Sequence, residues 1–189
     1  MSRGGDAMKW MCKTRNWKTA VSLAAWLSAV LLVTACRSQS SMLSAPVTGY
    51  NHTSAAINRF SVNGAGGPNL GAHEGGGSQV CCGVVPRHWV PGLRAVVEWE
   101  KDPDPDGYIK RDQYGQFDDV DYERHAANYS RHKAVVDIPR YDTAGVLKVH
   151  FLPCDQVRVS AENIRRDDPD YSYSYPMRMK EPEVCYGQL

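Results

Sequence analysis

Asp102-Pro103-Asp104-Pro105-Asp106-Gly107 places carboxylates at loop positions 1, 3 and 5 and a glycine at 6, the spacing with which an EF-hand loop wraps calcium. The pattern then stops. Position 9 is Lys110, position 12 is Gln113, which cannot offer a bidentate carboxylate, and no flanking helices are predicted. We therefore read an acidic turn stiffened by two prolines, without calcium at Asp102, Asp104 and Asp106. Gly64-Ala65-Gly66-Gly67-Pro68-Asn69-Leu70-Gly71 could cradle a phosphate only ahead of a helix, and it meets neither the dinucleotide nor the P-loop spacing. The histidines, His52, His73, His88, His125, His132 and His150, form no HExxH pair and no metal spacing with the cysteines, so neither metal nor cofactor is expected. There is no G-x-S-x-G elbow, and a Cys81 or Cys82 nucleophile beside His88 would be oxidised or bridged outside the cytoplasm. No catalytic residue is assigned, and an enzyme is not expected.

The cysteines point to a different chemistry. Residues 1–18 carry Arg3, Lys9, Lys13, Arg15 and Lys18 against Asp6, residues 19–33 carry no charge, and the run closes in Leu32-Val33-Thr34-Ala35-Cys36. A basic segment followed by an apolar one is the pattern of an export signal. Its closing residues resemble the lipobox of bacterial lipoproteins. That resemblance implies a lipid thioether on the Cys36 sulfur, cleavage before Cys36 and acylation, by palmitate or a similar chain, of the new amino terminus. One acyl chain anchors only marginally at about 0.8 kcal/mol per buried methylene, so several would make the tether durable. Arg37, rather than Asp, at the second mature position resembles an outer-membrane address facing the periplasm.

Export would leave Cys81, Cys82, Cys154 and Cys185 in an oxidising periplasm, where four cysteines permit three pairings. A bond between the adjacent Cys81 and Cys82 would close a strained ring. Each is therefore expected to reach Cys154 or Cys185, in an order the spacing leaves open, with free buried thiols as the alternative. Removing residues 1–35 of 189 leaves 154, the size of one domain. It also removes five of 22 bases and one of 21 acids, leaving 17 against 20 and a formal charge of −3, which argues against a nucleic-acid partner.

The elements that would position these residues are mostly strands. Leu93, Ala95, Val97 and Trp99 alternate with Arg94, Val96 and Glu98; Ala134, Val136 and Ile138 repeat the period; and Leu147, Val149 and Phe151 alternate with Lys148 and His150, which should then face away from the core. Residues 57–62, 80–85 and 156–160 add shorter strands. Tyr141-Asp142-Thr143-Ala144-Gly145 suits a hairpin turn between the second and third of the long strands, and Trp89-Val90-Pro91-Gly92 a turn into the first. Residues 122–129 could form one short helix. The expected fold is mainly β, an antiparallel β-sandwich or open barrel with long loops. The expected boundaries are a signal peptide over 1–35, the lipidated cysteine and a flexible spacer over 36–47, and a β-rich periplasmic domain over 48–189.

Two segments depart from this pattern. Residues 63–77 are glycine-rich, and residues 101–123 hold eight acids against three bases. Both read as long surface loops, either binding surfaces or plain solvated connections. The acids Asp102, Asp104, Asp106, Asp118, Asp119 and Asp121 are candidate partner-binding residues. Tyr171, Tyr173 and Tyr175 alternate with serines and would show three rings on one side of an extended segment, as a recognition edge or as an edge strand packed on the core.

Scattered words along the chain carry a family resemblance: Gly49-Tyr50-Asn51-His52-Thr53, Phe60-Ser61-Val62-Asn63-Gly64, Cys81-Cys82 followed by Pro86, Trp89, Pro91-Gly92-Leu93 and Val97-Glu98-Trp99. Later come Ile138-Pro139-Arg140-Tyr141, Val149-His150-Phe151-Leu152-Pro153 and Val157-Arg158-Val159. Together they resemble small bacterial lipoproteins that serve as immunity proteins to lipase effectors of the type VI secretion system. The resemblance implies a membrane-anchored inhibitor that binds a cognate secreted phospholipase. The alternative is a structural or accessory envelope lipoprotein that binds glycan or a secretion-machine component.

Overall fold

Alternating side chains decide where the strands run, and the core decides how they stack. The computed structural model describes residues 40–185. The apolar leader and Cys36 lie outside the described residues. In chain order the elements are β1 (Met42–Asn51), β2 (Ala56–Val62), β3 (Ala65–Gly66), β4 (Val80–Pro86), β5 (Arg94–Asp102), α1 (Asp119–Ala126), β6 (Ser130–Asp137), β7 (Ala144–Leu152) and β8 (Gln156–Glu162). They form two four-stranded sheets, ordered β4-β1-β7-β8 and β3-β2-β5-β6. The fold is thus the mainly β sandwich that the alternation implies, with one departure: β1 and β7 pair in parallel, Gly49 opposite Val149.

Inward positions of both sheets build one core. Ala45 and Val47, Leu147, Val149 and Phe151, and Val157, Val159 and Ala161 come from the first sheet, and Ile57, Phe60 and Val62 with Ala95, Val97 and Trp99 from the second. Phe151 meets the edges of Phe60 and Trp99, at 5.1 and 5.8 Å between centroids. Buried apolar surface on this scale, at roughly 25 cal/mol per Å², is the main term holding the sheets together.

Three sequence expectations about connections need correction. β1 begins at Met42, six residues before the expected Thr48, because Leu43, Ala45 and Val47 already alternate into the core. Pro46, which has no N–H to give a ladder, sits at the bulge in the β1–β4 register. Residues 141–145 are not a hairpin turn, since β6 belongs to the second sheet and β7 to the first. The segment crosses between sheets instead: Ile138 is buried at the core's end, and the Tyr141 hydroxyl donates to the Pro86 carbonyl at 2.8 Å. Third, residues 63–77 are no free loop. Leu70 is buried, its N–H and carbonyl bond to Ile57, and Gly75 bridges to Tyr50. Gly75 is a glycine for cause: its φ is 153°, and a Cβ there would collide with the β1 backbone.

The helix starts three residues earlier than expected because Asp118 caps it, accepting from the Asp121 N–H at 3.1 Å.

Candidate functional site

Two features stand apart from the core, a buried polar cluster on the outer face of the first sheet and an exposed arm between β5 and α1.

The outer face of the first sheet carries Thr48 and Tyr50 from β1, His52 just beyond it, Lys148 and His150 from β7, and Ser160 and Glu162 from β8. Such positions normally meet water. Here residues 163–181 run over them, and His52, His150, Lys148, Ser160 and Glu162 are all buried; Lys148 and His150 do face away from the core, as their strand phase implies, but into a second buried layer. Burial makes their hydrogen bonds obligatory. Pro176 offers a carbonyl 2.8 Å from His52 Nδ1, so that nitrogen carries the proton. His52 Nε2 is then an acceptor and takes the Nδ1–H of His150 at 2.9 Å. His150 Nε2 in turn accepts the Tyr171 hydroxyl at 2.6 Å, and Tyr171 can accept from Ser160 at 3.0 Å. With both imidazoles neutral, every donor in this chain points the same way and each ring nitrogen has a partner. The electrostatics agree. Burial pushes His150 down to about 3, and its neighbours His52, Arg166 and Lys148 also oppose its protonation. Burial also lowers His52 and raises the Tyr171 hydroxyl.

Tyr171, Tyr173 and Tyr175 do not lie in an extended segment: residues 172–173 form a turn, the Tyr175 N–H bonds back to the Tyr173 carbonyl at 2.9 Å, and the rings turn toward the sheet. Tyr171 is buried, the rings of Tyr173 and Tyr175 sit 5.8 and 5.9 Å from His150, and the two stack on each other. They seal the cluster rather than offer a free recognition edge. Met179 N–H bonds to the His52 carbonyl, and the Cys154–Cys185 disulfide ties the far end of the segment to the β7–β8 turn.

That disulfide, together with the bond between Cys81 and Cys82, corrects the expected long-range pairing. The sheet explains it. Cys81 lies on β4 beside Val80, which pairs with Val47, whose other neighbour is Leu147. Leu147 lies five residues from the end of β7, roughly 17 Å at 3.3 Å per residue, and Cys154 sits in the turn beyond that end.

Of the candidate acids, half are used internally. Asp102 is buried, accepts from the Asp104 N–H at 2.9 Å and lies 3.2 Å from His125 Nε2. Asp118 caps α1, and Asp121 accepts from the Lys110 N–H and pairs with Arg124. Asp104, Asp106 and Asp119 are exposed. The one triple of ligand-type side chains that converges among the described residues is Cys154, Glu181 and Cys185, and the disulfide occupies two of its three.

The arm, residues 103–118, is ordered by its own bonds. Arg111 and Phe117 form a bridge, Asp112 accepts from the N–H groups of Tyr114 and Gln116, and the Arg111 guanidinium stacks 4.1 Å over Phe117. Its large side chains are nonetheless in water. Tyr108 and Tyr114 are each 79% exposed and Val120, at the start of the helix, 78%, with Phe117 and Tyr122 stacked beside them. Sequence reading selected this segment for its acids, whereas the structure adds the aromatic side chains. It missed His52, His150, Lys148, Ser160 and Arg166 as a cluster. The available signal was that His52 follows Tyr50 in the same strand phase, as His150 follows Lys148.

Among the described residues no helix is long and apolar enough to cross a membrane. No curated protein and no solved structure matches the chain. Residues 50–159 match DUF3304, described as "Protein of unknown function", a span that runs from Tyr50 through His52 and His150 to Val159. With more than half its length in that match, the chain belongs to the DUF3304 family.

Proposed function

We propose that this chain is a lipid-anchored periplasmic immunity protein that binds a cognate type VI secretion phospholipase and blocks its cleft. The observation that carries the reading is the arm: a pre-ordered, acidic loop that holds Tyr108, Tyr114, Phe117 and Val120 in water. Ordered aromatic side chains bind with little loss of rotamer freedom, and a projecting loop suits a concave partner. The rings of Tyr108 and Tyr114, each 79% exposed, bury little area against the chain itself, so their advantage lies in a contact. The family resemblance names the partner class. A lipid on Cys36 would hold the inhibitor beside the membrane that the enzyme attacks, raising its effective concentration there.

The test is inhibition. A gene for a lipase-like protein should lie beside this one, the purified protein should abolish that lipase's activity at near-stoichiometric ratio, and its periplasmic expression should protect cells. Tyr108→Ala with Tyr114→Ala should weaken inhibition by at least tenfold in a protein that melts normally. A folded, expressed protein that neither inhibits nor protects would sink the proposal. Cys36→Ser should still inhibit in solution yet protect less well, and loss of inhibition in that folded variant would refute the separation of anchor from inhibitor.

A further inference from the structure

We propose that a pocket beside the sealed cluster binds a phosphate ester through Lys148 and Arg166. The pocket, about 380 Å³, lies between β1, β7 and residues 163–167, and its lining includes Tyr50, Gln79, Lys148, Asn163 and Arg166. A single water occupies about 30 Å³ of liquid, so there is room for a phosphate together with the group it esterifies.

Neither of these two cations, the buried Lys148 and the half-buried Arg166, has an ion-pair partner among the described residues. Lys148 is 6% exposed, and its Nζ donates to the Glu162 carbonyl at 2.7 Å and lies 5.2 Å over the Tyr171 ring. Neither contact is an ion pair. The Glu162 carboxylate is directed to Ser172, whose N–H and hydroxyl both donate to it at 3.1 Å, so it acts on Lys148 only through space. Arg166 donates one terminal N–H to the Tyr175 carbonyl, and its guanidinium lies 5.3 Å over the Tyr50 ring. Its Nε is buried and has no hydrogen-bond partner among the described residues. The one carboxylate in the lining, Asp167, is at the rim and pairs with Arg165 at 2.8 Å, both largely exposed.

The pocket therefore has two positive charges inward of a self-neutralised rim pair. Taking the Lys148 ammonium from water without an ion-pair partner is costly, and burial does pull it below the usual lysine range, while Arg166 beside it is half-buried. An anion between them would restore what burial removes. A guanidinium fork with an ammonium suits a phosphate, which accepts from several donors at once, and the Tyr50 hydroxyl and the amides of Gln79 and Asn163 supply further neutral donors. Tyr50 also stacks on His150, at 4.8 Å between centroids, so the pocket shares a wall with the sealed cluster.

Such an ester could be a soluble metabolite or a phospholipid headgroup, and the experiment separates them without reference to any lipase. Full-length protein in neutral maltoside micelles would be titrated calorimetrically with glycerol 3-phosphate, with inorganic phosphate and with acetate. It would also be titrated with micelles doped with phosphatidylglycerol. Saturable binding of glycerol 3-phosphate, tighter than acetate and weakened at least tenfold by Arg166→Gln but not by Arg59→Gln on the opposite sheet, is expected. Tighter binding to the doped micelles than to glycerol 3-phosphate would assign the lipid as source, and the reverse order would assign the soluble ester. In the unmutated protein, the bound ester should shield Arg166 from phenylglyoxal, mapped by mass spectrometry, which keeps the test decisive if Arg166→Gln fails to fold. The proposal is overturned by no saturable binding of either ester, by equal affinity for acetate, or by unchanged labelling of Arg166.

Discussion

The outer faces of the two sheets treat polar side chains in opposite ways. On β2, β5 and β6 the charges form cross-strand rows at the surface: the exposed Arg59 and Arg131 flank a largely covered Glu100 at 2.6 and 3.0 Å, and Lys133 meets Glu98 in water at 2.7 Å. On β1, β7 and β8 the polar groups lie under residues 163–181, each bonded in sequence from Ser160 to Pro176. Bonds of similar length therefore carry different consequences. In water a lost ion pair is replaced by hydration, whereas a lost partner under the covering segment leaves a dry donor or acceptor.

The largest expected effect comes from releasing that cover. The disulfide closes a separation of 31 residues, so Cys185→Ser should destabilise the domain by roughly 3 kcal/mol, read from urea unfolding. An unchanged midpoint would mean that the covering segment adds nothing to the fold. Next, Tyr171→Phe removes one hydroxyl and strands both His150 Nε2 and Ser160 Oγ. A loss of about 1–3 kcal/mol is expected, against less than about 1 kcal/mol for Lys133→Gln in the exposed rows, with only the latter fading at high salt.

Acid should separate the two faces as well. His150 binds its proton near 3 in the fold but at an ordinary 6.5 once unfolded, so below 6.5 the unfolded chain takes up the proton first. Stability is then full above pH 6.5 and falls as pH drops toward 3, at most about 1.4 kcal/mol per unit for this group. His52, also lowered, adds to the same decline. Glu100 acts later. Burial raises its carboxyl, but the bonds from Arg131 and Arg59 outweigh that and hold it below 4.5, so its contribution is lost only as pH falls below that value. Unfolding midpoints measured from pH 7.5 to 3 would test this order, and a flat profile between 6.5 and 4.5 would show that the histidines are not sealed. The smallest effect is expected from Tyr114→Ala on the arm, within about 0.5 kcal/mol, since its ring is 79% exposed.

Local pattern revealed much of this molecule. Period-two alternation located β5, β6, β7 and β8 and the inward faces that make the core, because a strand's two sides are written directly into consecutive residues. The acidic composition of residues 101–123 marked the arm, and the turn chemistry of Trp89 to Gly92 placed the entry to β5, where Gly92 takes φ 77°. What alternation cannot say is whether a strand's second face meets water. Lys148 and His150 lie opposite the core by phase, and they became interior only because a segment some twenty residues onward lies across them.

The cysteine pairing was hidden for the same reason. Spacing counts residues, but sheet order β4-β1-β7-β8 sets the distance from Cys81 to Cys154, and that order depends on the parallel pairing of β1 with β7, which no local pattern encodes. By itself the sequence determined the elements, their inward sides and the regions of unusual composition, all properties of neighbours along the chain. Tertiary structure alone decided which polar residues lost water, which cysteines met, and that Lys148 and Arg166 came to line one pocket. Burial and proximity between distant segments are properties of the packed whole.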